Sequence, residues 1–234
     1  MEKTVHIEGL GDVIFGRSNR ALHYRWCVKN GVLYAVIPVG GSEKQMLELT
    51  RHELVKLRKM LVNTRKQEKT VLDENTDMQT LTFRLQIKRY AMSSFRMTLK
   101  DGLLTMFCPA ETDFNDERIQ QHLQRMLKAA LRHEAKRVLP QRVALKAREH
   151  GFTFAAVKVR DTSSRWGSCS RRKNINLSLS LLRLPAHLVD YVILHELCHT
   201  VEMNHGKRFW LLMDRVTGGR AMALRRELRR FEPL

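Results

Sequence analysis

Paired cysteine spacing is missing from the sequence. Cys27, Cys108, Cys169 and Cys198 form no C-x-x-C pair. This argues against a disulfide framework or a four-cysteine zinc site and fits reduced thiols in a cytosol. Long apolar runs are missing too: none approaches the roughly eighteen residues of a membrane helix. The opening stretch, MEKTVHIEGLGDVIFG, carries charge and glycine where a signal peptide has its apolar block. The expectation is a cytoplasmic protein with no membrane partner. Acidic residues are scarce beside basic ones, 24 against 42, for a net charge of +18. Such an excess is either a solvated surface or an attraction to nucleic acid, acidic proteins or anionic substrates. No aromatic residue interleaves the basic runs KAALRHEAKRVLPQRVALKAREH (128–150) and RRELRRF near the end. That disfavours single-strand stacking and leaves phosphate attraction open.

The 234 residues are 43% hydrophobic, a globular composition long enough for one large domain or two small ones. Residues 21–38 read as two strands joined at Asn30-Gly31, ending at Pro38. A helix follows, with Ser42 as its cap and Met46, Leu49, Leu54, Leu57 and Leu61 on its apolar side. The pattern returns in residues 95–109, with Asp101-Gly102 at the turn and Pro109 at the end. A long helix over about 115–149 comes next, capped by Asp113 or Asn115. Lys128, Arg132, Lys136 and Arg137 share one side of it, so a nucleic-acid contact would fall there. The polar stretch 63–80 reads as a connector. The reading is α+β, with a small β-hairpin-plus-helix unit in 1–75 and a larger domain in 76–234.

FTFAAVKVRD (152–161) is a short strand candidate, and TSSRWGSCSRRKN a loop or bend. In NINLSLSLLRLP, Ile175, Leu177, Leu179 and Leu181 alternate with Asn174, Asn176, Ser178 and Ser180. That is a strand with one apolar face and one face of small polar groups. Pro185 opens a helical pattern that runs to about Glu202.

HELCHTVEMNH (195–205) holds three of the ten histidines. His195 and His199 lie four apart on one side of a helix, a spacing that lets two imidazoles bind one zinc ion. Glu196 follows the first directly, where a carboxylate can take a proton from activated water. A catalytic zinc needs a third protein ligand. If the helix stops near Met203-Asn204, with Asn204 in a left-handed conformation, His205 can fold back to the ion. Glu202 is the competing ligand, on the same helical side.

RWGSCS, INLSLSLLRLP and VDYVILHELCHTVEMNHGKRFW together resemble the YgjP-like metallopeptidase family, a branch of the zincins related to the SprT and WLM groups. The resemblance implies His195, His199 and His205 as zinc ligands and Glu196 as general base. It also implies a zincin-like fold: a mixed sheet, a backing helix, an active-site helix and an edge strand above the cleft. The helix over 115–149 suits the backing helix. NINLSLS suits the edge strand, its free backbone available to an extended protein or peptide substrate. The histidine spacing equals that of metzincins, but Glu202 stands where those carry glycine, and no methionine turn is evident.

Arg165, Asn176 and Ser178 are candidate substrate contacts. Trp166 and Gly167 read as a packed ring and a tight bend, Phe209 and Trp210 as core anchors, Tyr191 as core, Cys198 as a buried thiol, and His187 as a surface residue. Two rival functions remain. A metal-dependent nucleotide pyrophosphatase would suit the charge, but such enzymes prefer carboxylate-bound magnesium or manganese. A nucleic-acid-associated protein with a structural zinc would close the site with a fourth ligand and leave Glu196 without a use. A mixed form, a peptidase recruited to DNA-bound proteins, follows from the kinship and the charge together. The sequence is silent on oligomeric state.

Overall fold

The computed structural model describes residues 3–29, 31–66, 71–91, 93–231 and 233. Two compact units divide the chain, Met1–Thr70 and Val71–Leu234.

The first unit is a four-stranded sheet and two helices. Its strands are β1 (Lys3–Ile7), β2 (Gly11–Ser18), β3 (Arg25–Lys29) and β4 (Val32–Pro38), in the order β1-β2-β4-β3. β2 runs parallel to β4, and the other pairs are antiparallel. Alternate residues Val13, Phe15, Leu33, Ala35 and Ile37 are buried against Met46, Leu57 and Leu61. Those three come from α1 (Glu43–His52) and α2 (Leu54–Lys66), two helices where the apolar pattern suggested one. Ser42 caps α1 by accepting from the Gln45 N–H at 3.1 Å. Asn30 of the expected turn lies outside the described residues.

The second unit opens with the same strand plan. β5 (Met78–Gln79), β6 (Arg84–Tyr90), β7 (Arg96–Lys100) and β8 (Leu103–Pro109) take the order β5-β6-β8-β7, again with one parallel pair, β6 and β8. The hairpins share a register: Arg25 faces Val36 in the first, and Arg96 faces Phe107 in the second. Asp101 and Gly102 both take positive φ, as a tight two-residue hairpin turn requires. The repeat suspected from spacing thus extends to whole sheets.

α3 (Glu117–His150) follows and runs through Pro140. Its cap is Asp116, whose carboxylate accepts from the Arg118 N–H at 2.6 Å, in place of Asp113 or Asn115. Gly151, at φ 73°, ends it. Leu123, Leu127, Leu131, Leu139 and Val143 form its buried stripe. The third sheet comprises β9 (Ala156–Arg160), β10 (Gly167–Cys169) and β11 (Asn174–Ser178), in the order β10-β11-β9, with β9 parallel and β10 antiparallel to β11. β11 is therefore central, and the short β10 is an edge; the expectation that NINLSLS is the edge strand is corrected. The strand also stops at Ser178. Leu179–Arg183 form a 3-10 helix, because the Ser178 hydroxyl accepts from the Ser180 N–H and turns the chain. α4 (Ala186–Cys198), α5 (Lys207–Thr217) and α6 (Ala221–Leu228) complete the unit. α3 packs on β9, the 3-10 helix and α4. No helix among the described residues is long and apolar enough to cross a membrane.

The unit boundary falls ahead of the expected 75/76 because Leu72, inside the supposed connector, belongs to the second core. Gln120 of α3 anchors it. Its side chain accepts from the Leu72 N–H at 2.8 Å and donates to the carbonyls of Leu72 at 3.0 Å and Phe114 at 2.8 Å. Replacing Gln120 with leucine strands three buried backbone groups, so a loss of about 2–4 kcal/mol in urea unfolding is expected. An unchanged midpoint would show that the anchor is dispensable.

Candidate metal centre

α4 is buried on nearly every side. Leu188, Val189, Val192, Ile193, Leu194, Leu197 and Cys198 all lie in the core. A helix without a wet face must give each polar side chain a partner or a task. Asp190 meets Arg142 at 2.5 Å. His195 and Glu196 find no such arrangement: His195 Nδ1 and Glu196 Oε2 are buried with no hydrogen-bond partner among the described residues.

The helix ends at Cys198, short of the expected Glu202. The Thr200 hydroxyl donates to the Leu197 carbonyl at 2.7 Å. The N–H groups of Thr200 and Val201 turn back to Leu197 and Cys198 at 3.0 Å each, tightening the last turn. Asn204 is not left-handed, contrary to expectation; among the described non-glycine residues only Asp101 and Lys173 have positive φ. The chain returns instead through the Gly206 N–H, which donates to the Asn204 carbonyl at 2.8 Å just before α5 begins.

This turn brings His205 to the two helix histidines. The Nε2 atoms of His195 and His199 are 3.2 Å apart, those of His199 and His205 3.1 Å, and those of His195 and His205 3.0 Å. The Glu202 carboxylate is not among the converging groups. Its backbone carbonyl lies 3.0 Å from His199 Nδ1. A carbonyl only accepts, so this contact assigns the proton to Nδ1 and leaves the Nε2 lone pair facing the cluster. Burial, and then the neighbouring His199 and His205, push the His195 pKa down to about 3. Burial lowers His199 as well. These two imidazoles are therefore neutral near pH 7 and fit to be ligands. Three nitrogens at 2.0–2.1 Å from one tetrahedral ion sit about 3.3–3.4 Å apart. The observed triangle is close to that size, so the residues present fit a divalent cation.

Phe209 stands behind all three rings. Its centroid is 4.9 Å from His195, 4.6 Å from His199 and 4.7 Å from His205, and it is fully buried. Trp210 stacks on His205 at 6.1 Å and carries Arg225 over its own ring at 4.9 Å. The two aromatics thus brace the metal-facing rings as well as the core. Tyr191 is buried, with its ring 6.3 Å from that of His195. Cys198 is a buried thiol pushed up to about 12 by burial. His187 is exposed and meets Glu227 at 2.8 Å.

Glu196 is 4% exposed. Burial raises its carboxyl to about 8, against the opposing pull of Arg165. The edge strand β10 lies directly on it. A Cβ at Gly167 would sit 2.6 Å from Glu196 Oε1, 2.8 Å from Cγ and 2.9 Å from Cδ. Gly167 does not take positive φ, so it is glycine for space and not for a bend. Cys169 faces the same way: burial, then the Glu196 carboxylate, push its thiol up to about 11. The roles of Gly167 and Cys169 were missed in the sequence. The only signal was their antiparallel pairing with the inward Leu177 and Ile175, which requires the strand partners to be known.

The substrate candidates separate. Arg165 is exposed, within electrostatic reach of Glu196. Asn176 lies on the face of β11 opposite Leu177, hence away from Glu196. There its amide contacts Ser168 Oγ at 3.5 Å and accepts from Arg160 at 3.4 Å. Ser178 is buried, its hydroxyl donating to the Thr162 carbonyl at 3.0 Å while capping the 3-10 helix. Neither is brought to the histidines. The basic row on α3 is partly neutralised: Lys128 and Arg132 each meet Asp161 at 3.0 Å, and Arg137 meets Glu134 at 2.6 Å.

The contact between Gly167 and Glu196 yields a double-mutant test. Gly167→Ala should cost about 1–3 kcal/mol through overpacking, and nearly nothing when Glu196 is already alanine. Additive effects in thermal or urea unfolding would show that the two residues do not press on each other.

The YgjP-like family model, a metallopeptidase domain, matches residues 23–231 of the chain. No curated protein matches. Among solved structures, the metallopeptidase zymogen of Pyrococcus abyssi abylysin is similar over 39% of this chain and 92% of its own, at 21% identity and a TM-score of 0.35. With a match spanning nearly the whole second unit and most of the first, the chain belongs to the YgjP-like metallopeptidase family.

Proposed function

We propose that the protein is a zinc-dependent peptidase in which His195, His199 and His205 hold the ion and Glu196 is the general base. The observation that carries this reading is the meeting of three Nε2 atoms within 3.2 Å, at the end of a helix that also buries Glu196 and in the turn after it. An all-imidazole donor set favours zinc over magnesium, calcium or manganese, which take oxygen ligands. The same chemistry disfavours a nucleotide pyrophosphatase. When bound, zinc supplies a Lewis acid toward water and the peptide carbonyl. Glu196 accepts a proton from the attacking water at its carboxylate and delivers it to the leaving nitrogen. Burial raises the Glu196 carboxyl, and the positive charge of a bound ion would favour the ionised form that a base needs.

The zincin-like arrangement places a mixed sheet above α4, with α3 behind. The peptide-binding edge in this reading is β10. Ser178 donates to the Trp166 carbonyl at 2.8 Å, and Ser170 donates to the Asn174 carbonyl at 3.0 Å. Antiparallel alternation then turns the N–H and C=O groups of Gly167 and Cys169 away from β11, toward the open edge. An extended substrate can add there as a further strand, directly above Glu196.

Glu196→Gln should keep stoichiometric zinc and the wild-type melting curve but lose roughly 10²–10⁴-fold in turnover of an unfolded casein substrate. Full activity in that variant would rule out the mechanism. His205→Ala should weaken zinc binding by orders of magnitude in a chelator competition, while Glu202→Ala should shift it by less than about tenfold because the backbone carbonyl that orients His199 remains. The reverse order would make Glu202 the third ligand.

A further inference from the structure

Several basic side chains of this unit meet carboxylates: Arg89 meets Glu74, Arg132 meets Asp161 and Arg142 meets Asp190. Those that flank β10 do not. Arg165 lies just before the strand, and Arg171 and Arg172 form the turn just after it; all three are exposed. Among the described residues none of the three has a carboxylate partner in an ion pair. Glu196, buried beneath the strand, feels the field of Arg165. The Lys173 ammonium, at the end of the same turn, donates to the Thr153 hydroxyl at 3.3 Å.

These cations stand at the two ends of the edge whose Gly167 and Cys169 backbone groups point outward. Arg165 lies two residues before β10 and Arg171 two residues after it. A substrate strand added along β10 would therefore pass one free guanidinium at one end and two at the other, within a span of about six residues. Free charges at a docking edge select partners of opposite sign and repel those of like sign. A nucleic acid has no use for the strand's hydrogen-bonding edge, and Trp166, the aromatic residue beside Arg165, packs against the core. The edge and the charges are satisfied together by a polypeptide.

We propose that Arg165, Arg171 and Arg172 set substrate class, making the edge strand a docking site for extended acidic peptides, with carboxylates flanking the scissile bond. This rests on the peptidase reading above and specifies what that site accepts.

The test uses three randomised peptide pools with a common core length, flanked on both sides by glutamate, glutamine or lysine. Each pool is cleaved by the zinc-loaded protein at low and at 0.5 M salt. The glutamate-flanked pool should be cleaved with a kcat/KM roughly tenfold above the glutamine-flanked one, the lysine-flanked pool should be slowest, and salt should shrink the spread. Arg171→Glu/Arg172→Glu should reduce the glutamate-to-glutamine ratio to one or below. Equal cleavage of the three pools, or a ranking that survives the double charge reversal, overturns the proposal while leaving the peptidase reading intact. If the pools are cleaved alike and the reversal instead abolishes binding of a plain DNA duplex in a gel shift, the patch belongs to nucleic acid and the proposal falls. No cleavage of any pool overturns the peptidase reading and this inference with it.

Discussion

Imidazole lone pairs that meet at 3.0–3.2 Å repel one another unless a cation stands among them. The second unit can be read as the apparatus that imposes this meeting. α4 and its C-cap supply two of the rings, held by burial on nearly every side. The tightened turn after Cys198 supplies the third. Phe209, at the start of α5, lies against all three rings at once, so no ring can withdraw without opening the core. In the proposed function the ion provides the attraction, and the protein provides a geometry prepared before it arrives.

A second constraint is coupled to the first. A carboxylate next to His195 on a largely buried helix is a destabilising placement for an ionised group, and its Oε2 atom has no protein partner among the described residues. Unpaired buried polar groups of this kind concentrate at functional sites, where the surrounding packing holds them in place. Here that packing includes the edge strand. Only a glycine lets β10 approach the Glu196 carboxylate so closely. The distance between Glu196 and β10 is thus set by one missing side chain.

Much of this was legible in the sequence because its signals are local. The Asp101-Gly102 turn, the Ser42 cap and the helical spacing of His195 and His199 each depend on a few neighbouring residues, and each appears in the structure. What was misread depends on partners distant in the chain. The alternation in NINLSLS announced a strand with one apolar face but not its position in the sheet; β9 and β10 flank it, so it became central. The same alternation ran past Ser178 because a serine cap and a strand residue look alike until the backbone turns. α4 ended early for a similar reason: the Thr200 hydroxyl competed for a carbonyl that periodicity assigned to further helix. Leu72 lay inside a polar stretch and was claimed for the core by Gln120, far along the chain. The basic row on α3 read as free charge because Asp161 and Glu134 could not be placed opposite it.

The central claim is that three histidine nitrogens hold one zinc ion and leave a position open. X-ray absorption at the zinc edge of the zinc-loaded protein measures this most directly. The account predicts one ion per chain, with about three imidazole nitrogens and one further light atom at about 2.0–2.1 Å. A spectrum showing sulfur ligands, fewer than three imidazoles, or no stoichiometric zinc would contradict it.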